Sequence, residues 1–343
     1  MTPDHWQLYR LMFKSRCFEE AVRKIWKAGL ISGEMHLGLG EEAIAAGIVS
    51  QLGAQDAMAL EHRGTPPLLM RGVDPYALLR EFMGQPDGLC GGMGGHMHLF
   101  EPQKLAASSG IVGASGPAAV GFALAGQMLR PGSLAVAFFG ESATSQGMLM
   151  EAFNLAAVWR LPVLFVCKDN ELGITTPSAT AVSGNLLARA QAFGLQAWEV
   201  DGADVGAVWS VAETALRQVR AGQGPGFIWA HCVHLEGHFL GDGLLDMLRR
   251  PVYSFKKRIW LMIKGFFRPG GASWAERIAS MRQILGVVVS AQSQVSWQND
   301  PLVRSRQLLN ADNPQRLREM ESAIRSEVDQ IAALALQPGL GAL

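Results

Sequence analysis

Residues 134–169 restrict the fold more than any other part of this chain. LAVAFFG (134–140) and LPVLFVCKD (161–169) are short, continuous apolar runs. Between them GMLMEAFNLAAVWR (147–160) carries apolar residues at i, i+3 and i+4 spacing. Runs of the first kind read as buried strands and the second as a helix. Strand, helix, strand fixes parallel strands joined by a right-handed crossover. QAWEVDG (196–202) and GFIWAHCV (226–233) extend the sheet, and VGAVWSVAETALRQVRAG (205–222) is a helix between them, ending at a glycine. The expected fold class is α/β, a three-layer αβα arrangement on a mostly parallel sheet, followed by C-terminal helices.

The flanks set the expected organisation. MTPDHWQLYRLMFKSRCFEE at the start has charges throughout and reads as an amphipathic helix, with no apolar stretch of the signal-peptide kind. GLCGGMGGHMHLFEPQKLAASSGIVGASGPAAVGFALAG (88–126) is dense in glycine without a repeat, which lets backbone approach something closely. A helix of small residues, 118–129, follows it. After about residue 243 the sheet pattern ends. We therefore expect an α/β domain over 1–243 and a helical extension over 244–343, packed on the main domain or on a partner. RIWLMIKGFF (258–267) is too short and too interrupted to span a bilayer. It reads as a buried or partner-facing helix, with a membrane-surface helix as the other reading.

Charge narrows the function classes. Thirty Lys and Arg balance thirty Asp and Glu among 343 residues, so there is no nucleic-acid footprint. Cys17, Cys90, Cys167 and Cys232 lie far apart, with no CxxC pair for zinc or redox work, which favours a reducing, cytoplasmic setting.

The strongest chemical signal is FFGESATSQG (138–147) followed by VCKDN (166–170). A strand ends at Gly140 with Glu141 just beyond its tip. The next strand ends at Asp169 and Asn170. Ligands of open α/β sheets bind beyond the carboxyl ends of the strands. A carboxylate, an amide oxygen and a backbone carbonyl there are hard ligands suited to Mg²⁺ or Ca²⁺ on phosphates. A helix starting near Ser142 would point its amides at an anion. The same layout also fits an ordinary βα turn with a capping carboxylate. His96 and His98 are two apart on a glycine-rich loop, which suggests a metal, but we read them as structural.

These segments resemble the α subunits of the thiamine-diphosphate-dependent E1 component of 2-oxo acid (pyruvate or branched-chain) and acetoin dehydrogenases. GESA with the later KDN is similar to that family's GDG-to-NN cofactor motif. HLGLGEEAIAAG (36–47), HRGTPPLLMRG (62–72), GGMGGHMHLF (91–100), GIVGASGPAAVGFALA (110–125), VDGADV (200–205) and GHFLGD (237–242) follow in the family's order. The resemblance covers roughly residues 8–243 and implies the thiamine-diphosphate-binding fold. It implies Glu141, Asn170 and the Leu172 carbonyl as metal ligands for Mg²⁺, Ca²⁺ or Mn²⁺. It implies His62, Arg63, Gly110, Val112, Glu141, Ser142, Ala143, Asn170 and His238 as cofactor contacts. His36 and His238 become the candidate catalytic groups, carrying protons near the reacting centre.

Several positions depart from the family pattern. Glu141 is one methylene longer than the usual aspartate, about 1.5 Å of extra reach. Ser142 replaces a glycine, and Asp169 replaces the first asparagine. Where the family commonly reads HRGHGH, this chain has His62-Arg63-Gly64-Thr65-Pro66-Pro67, so a histidine is missing at Thr65. The prolines are expected to stiffen a loop, with Pro66 disfavouring helical geometry at Thr65. Val233-His234 stands where Tyr-Arg is usual.

The resemblance further implies an α2β2 heterotetramer. A β-type subunit would supply the activating glutamate and a lipoyl-bearing acyltransferase would accept the acyl group. Two other readings stand beside it. One is a carboligase subunit of a specialised pathway, and the other a non-catalytic paralogue that binds a partner through its helical tail.

Overall fold

The structure, a computed structural model, describes residues 2–174, 176–241, 264, 266–267, 269–282 and 299–337. The proposed boundary at 243 and seven of the ten residues of 258–267 lie outside these residues. So does Asp242 at the end of the GHFLGD segment.

Among the described residues the main sheet has seven strands. They are β1 (Ala57–Leu60), β2 (Phe100–Glu101), β3 (Ala106–Ser108), β4 (Ala135–Gly140), β5 (Val163–Asp169), β8 (Gln196–Asp201) and β9 (Gly226–His231). A small separate hairpin is formed by β6 (Leu172–Gly173) and β7 (Thr176–Pro177). The order across the main sheet is β2-β3-β1-β4-β5-β9-β8, all parallel except β2, which runs antiparallel to β3. The strands of the 134–169 unit, of 196–202 and of 226–233 thus fall where their apolar runs predict. β1 and β3 lacked such a signal. They are three or four residues long and rich in alanine.

Strand alternation sorts residues onto two cores. Val136, Phe138, Leu164 and Val166 face one side, against α1 (His5–Lys27), α2 (Glu42–Val49) and α9 (Val205–Arg220). Ala135, Ala137, Phe139, Val163, Phe165 and Cys167 face the other, against α5 (Ser115–Leu129), α6 (Gly147–Val158) and α8 (Leu186–Ala192). Phe153 of α6 meets Phe165 edge to face, with ring centroids 4.7 Å apart. Both are fully buried, so cutting either to alanine costs about 3–5 kcal/mol.

The last helices, α10 (Pro301–Asp312) and α11 (Pro314–Ala335), pack on α1 and add Leu309, Leu317, Ile324 and Val328 to the first core. Arg16 of α1 holds both oxygens of Asp300, the cap of α10, at 3.0 and 3.1 Å. Tyr9 donates to Glu321 at 2.6 Å. Among the described residues no helix is long and apolar enough to cross a membrane.

Two local expectations are corrected. Thr65–Met70 is helical (α3), not a stiffened loop. Pro66 and Pro67 sit in its first turn, where no amide donor is needed and the proline φ already suits a helix. Second, no α-helix starts near Ser142. Glu141–Ser145 forms a 3₁₀ turn and α6 begins at Gly147.

Candidate functional site

Because the strands are parallel, their carboxyl ends share one edge. The chain runs from β1 to β3 in one direction and from β4 to β5 in the other, so the strand order reverses between β1 and β4. Ligand crevices of open α/β sheets form at such a reversal. Beyond the tips lie Glu61, His62 and Arg63 after β1, Glu141 after β4, Asn170 after β5, and His234 and His238 after β9.

A cavity of about 360 Å³ opens there. His62, Arg63, Val112, Glu141, Ser142, Ala143, Asn170, Leu172 and His238 all line it. Gly110 does not. It packs on Met97 and His98, where an added Cβ would sit 3.0 and 3.3 Å from their side chains. His36 also lies outside the lining, edge-on to the rings of His62 and His238 at 4.7 and 5.1 Å.

Glu141 is buried, and its Oε1 accepts hydrogen bonds from Ser142 (3.0 Å) and from Ser178 (2.8 Å), the first residue of α7 (Ser178–Ala181). Burial raises its pKa, and the nearby Asp169 adds to the rise against the serine hydrogen bonds. Its longer side chain is held by these two hydroxyls, which leaves Oε2 as the oxygen for a cation. Asp169 is occupied elsewhere. Trp229 Nε1 donates to one of its oxygens and the Glu171 amide to the other, both at 2.8 Å. Glu171 (φ +60°) and Ile174 (φ +58°) are left-handed, an arrangement that costs a non-glycine residue energy and clusters at functional turns. This turn carries Asn170 and Leu172 to the cavity wall.

Arg63 lines the cavity, but its terminal nitrogens bind backbone. Nη1 donates to Leu37 O at 2.5 Å and Nη2 to His238 O at 2.6 Å. It therefore ties the 36–40 loop and the 234–238 loop to the end of β1.

The structure adds groups that sequence reasoning missed. Lys168 is buried and paired with Glu41 and, at 2.5 Å, with Glu61. Burial pushes its pKa down, but the two carboxylates outweigh that and raise it. Glu41 is also buried, yet Lys168 and His234 hold it below the usual carboxylate range. His234 Nε2 lies 2.7 Å from Glu41 Oε1, and its Nδ1 lies 2.7 Å from Asn170 Nδ2. Burial and then Arg63 lower His234 to about 4 against the pull of Glu41, so it is neutral at pH 7. The Glu41 carboxylate only accepts, so Nε2 carries the proton. Nδ1 must then accept from the Asn170 amide nitrogen. That leaves Asn170 Oδ1 as the atom for a cation. The sequence signals were a lysine inside an apolar strand, VCKDN, and the paired acids of GLGEE.

His234 is set by a close approach. Gly40 has φ +104°, and a Cβ there would lie 1.9 Å from Val233 O. Only glycine fits, and the Leu235 amide then donates to Leu39 O at 3.1 Å.

The glycine-rich 88–95 loop has a different use from ligand approach. It wraps the buried carboxylate of Glu81 in α4 (Pro75–Phe82). The amides of Cys90, Gly92 and Gly94 donate to it at 2.7, 2.8 and 2.7 Å. His96 is buried behind it, its Nε2 against the amide (3.3 Å) and Nδ1 (3.0 Å) of His36.

The family model described as "Dehydrogenase E1 component" matches residues 9–247. The α subunit of acetoin:2,6-dichlorophenolindophenol oxidoreductase from Bacillus subtilis is 38% identical over 237 residues, 68% of this chain and 71% of that one. The Cupriavidus necator protein of the same name is 39% identical over 238 residues, with 68% and 71% covered. The α subunit of the pyruvate dehydrogenase E1 component from Zymomonas mobilis is 35% identical over 254 residues, with 73% and 72% covered. A family match over residues 9–247, with relatives 35–39% identical over more than two thirds of the chain, places this protein in the dehydrogenase E1 component family.

Proposed function

We propose that this chain is the α-type subunit of a thiamine-diphosphate-dependent E1 enzyme acting on a 2-oxo acid or acetoin. One observation carries the reading: Glu141, Asn170 and Leu172 line a single cavity with Arg63 and His238, at the strand-order reversal. The donor set fits the group. A carboxylate, an amide oxygen and a backbone carbonyl suit Mg²⁺, Ca²⁺ or Mn²⁺ bridging a diphosphate. When bound, thiamine diphosphate supplies a nucleophilic carbon and an electron sink, chemistry no side chain offers.

The chain's own residues would hold and orient. Glu141 and Asn170 would grip the cation. Arg63 fixes the two histidine-bearing loops, and its charge favours an anion beside it. His36 and His238 would accept or relay protons. Both are neutral at pH 7, because burial, with Arg63 next, pushes them down to about 2 and about 3. A diphosphate beside Arg63 would raise both toward a useful range.

A β-type partner would complete the site and supply the activating glutamate, in an α2β2 assembly, with a lipoyl-bearing acyltransferase as acceptor. The exposed apolar side chains of Met128 and Leu129 on α5, and of Val158 and Trp159 at the end of α6, lie at the amino-end edge of the sheet, opposite the cavity, and support a further partner face there.

The test is co-expression with a β-type chain. Acetoin or a 2-oxo acid should reduce 2,6-dichlorophenolindophenol only with Mg²⁺ and thiamine diphosphate present. Thr65 is buried and has no titratable group, which supports the carboligase reading as second choice. An acyloin product without dye reduction would select that reading. Absence of calorimetric thiamine-diphosphate binding, with Mg²⁺ and the partner both supplied, would select the non-catalytic one.

A further inference from the structure

Three histidines from three separate loops converge beside the cavity. A ligand nitrogen of each of His36, His62 and His238 lies within 4.8 Å of the other two. Their ring centroids are 4.7, 5.1 and 6.0 Å apart. A zinc ion holding three imidazoles tetrahedrally at about 2.0–2.1 Å sets ligand nitrogens about 3.3 Å apart and ring centroids about 5.2 Å apart. The ring spacings lie close to that of a coordinated triad, and the nitrogens must close from within 4.8 Å to about 3.3 Å.

The hydrogen bonds also fix which nitrogens carry lone pairs. His62 Nδ1 lies 3.0 Å from Glu61 Oε2, and a carboxylate oxygen at that distance favours the tautomer with the proton on Nδ1. Its Nε2 is then an acceptor, and it is buried with no hydrogen-bond partner among the described residues. A carboxylate behind a histidine, with the far nitrogen bare, is the usual support of a metal-bound imidazole. His96 Nε2 accepts from the His36 amide, so it carries no proton and must also accept from His36 Nδ1. His36 Nε2 is therefore a lone-pair nitrogen as well. The 3.5 Å between His238 Nδ1 and Arg63 Nη2 is too long to fix the His238 tautomer.

We propose that His36, His62 and His238 form a binding site for one divalent transition cation of the zinc class, distinct from the Glu141 and Asn170 oxygen site. Burial and Arg63 keep these imidazoles neutral at pH 7, so the cation displaces no proton from them. Three imidazole nitrogens and no carboxylate form a donor set that suits zinc-class ions, whereas Mg²⁺ and Ca²⁺ take oxygen ligands. Filling the site would lock the 234–238 loop to the body of the domain and occupy both candidate proton carriers.

The test uses the purified full chain, stripped with chelator and held in excess Mg²⁺ to fill the oxygen site. Zinc titration by calorimetry should give one equivalent, and cobalt(II) should give the intense visible absorption of four-coordinate geometry. His62→Ala and His36→Ala should each weaken zinc by at least roughly tenfold. His234→Ala should leave the affinity unchanged. X-ray absorption at the zinc edge of the unaltered chain should count three imidazoles and no sulfur, which decides the ligand set even if a variant does not fold. No stoichiometric uptake overturns the proposal. So does a sulfur ligand, or binding that survives His62→Ala but is lost in His234→Ala, since either would point to Glu41, Cys232 and His234 instead.

Discussion

Asn170 Nδ2 sits 2.7 Å from His234 Nδ1, and this contact decides which face of the amide a cation would meet. The order of control runs from Lys168 to Glu41, from Glu41 to His234, and from His234 to Asn170. Replacing His234→Leu removes the acceptor and lets the amide flip. Mg²⁺-dependent thiamine-diphosphate affinity should fall roughly 10–100-fold, the usual effect of losing such outer support. Calorimetry reads the affinity, and an unchanged value would show that His234 does not orient Asn170.

Lys168→Met should strongly destabilise the fold. It leaves the Glu41 and Glu61 carboxylates buried without their shared cation. Breaking a buried pair from one side costs about 3–5 kcal/mol. Urea denaturation measures it. The triple replacement of all three groups by apolar residues should recover most of the loss, because no charge is then stranded.

Glu19 predicts a pH effect of definite sign. It is buried, with Gly38 N donating to Oε1 at 2.9 Å and with no partner for Oε2 among the described residues. Burial pushes it up to about 8, so the folded chain keeps a proton that the unfolded chain releases near 4.5. Stability therefore falls as pH rises through that window, by up to about 1.4 kcal/mol per pH unit. Glu19→Gln removes this slope. Thermal melts of the two proteins should diverge as pH rises from 5 to 8, the variant being favoured, and parallel curves would contradict the assignment.

Glu141 and Ser178 should separate a ligand from its support. Glu141→Gln removes the charge that would hold the cation and should nearly abolish metal-dependent cofactor binding. Ser178→Ala removes one of the two hydroxyls on Oε1 and should weaken it by roughly tenfold. Equal losses in both variants would argue that the serine, not the carboxylate, is the contact that matters.

The apolar face at the ends of α5 and α6 should govern assembly rather than folding. Met128 is 78% exposed and Trp159 51%, so charging them costs the isolated chain little. Met128→Asp with Trp159→Glu should reduce co-purification with a β-type chain, since buried apolar anchors dominate interface energies. The melting temperature of the α-type chain alone should stay within a few degrees.

The sequence by itself determined the β4, β5, β8 and β9 part of the sheet. In β4 and β5 the long apolar runs and their period-2 alternation leave no other way to bury both faces. It also determined that Glu141 and Asn170 stand at neighbouring strand tips, because a βαβ unit brings two carboxyl ends to one edge. It did not reveal β1 or β3, whose three or four small residues carry too little pattern. Consequently His62 and Arg63 were visible only through resemblance, and Glu61 not at all. Nor could it show that the 88–95 glycines enclose Glu81 rather than a ligand. Close approach requires glycine whatever the approaching group is. The Lys168 network, the His234 tautomer and the convergence of His36, His62 and His238 were decided by tertiary structure alone. Each joins residues from 26 to 202 positions apart, and only packed loops set the ångström-scale distances on which hydrogen bonding and coordination depend.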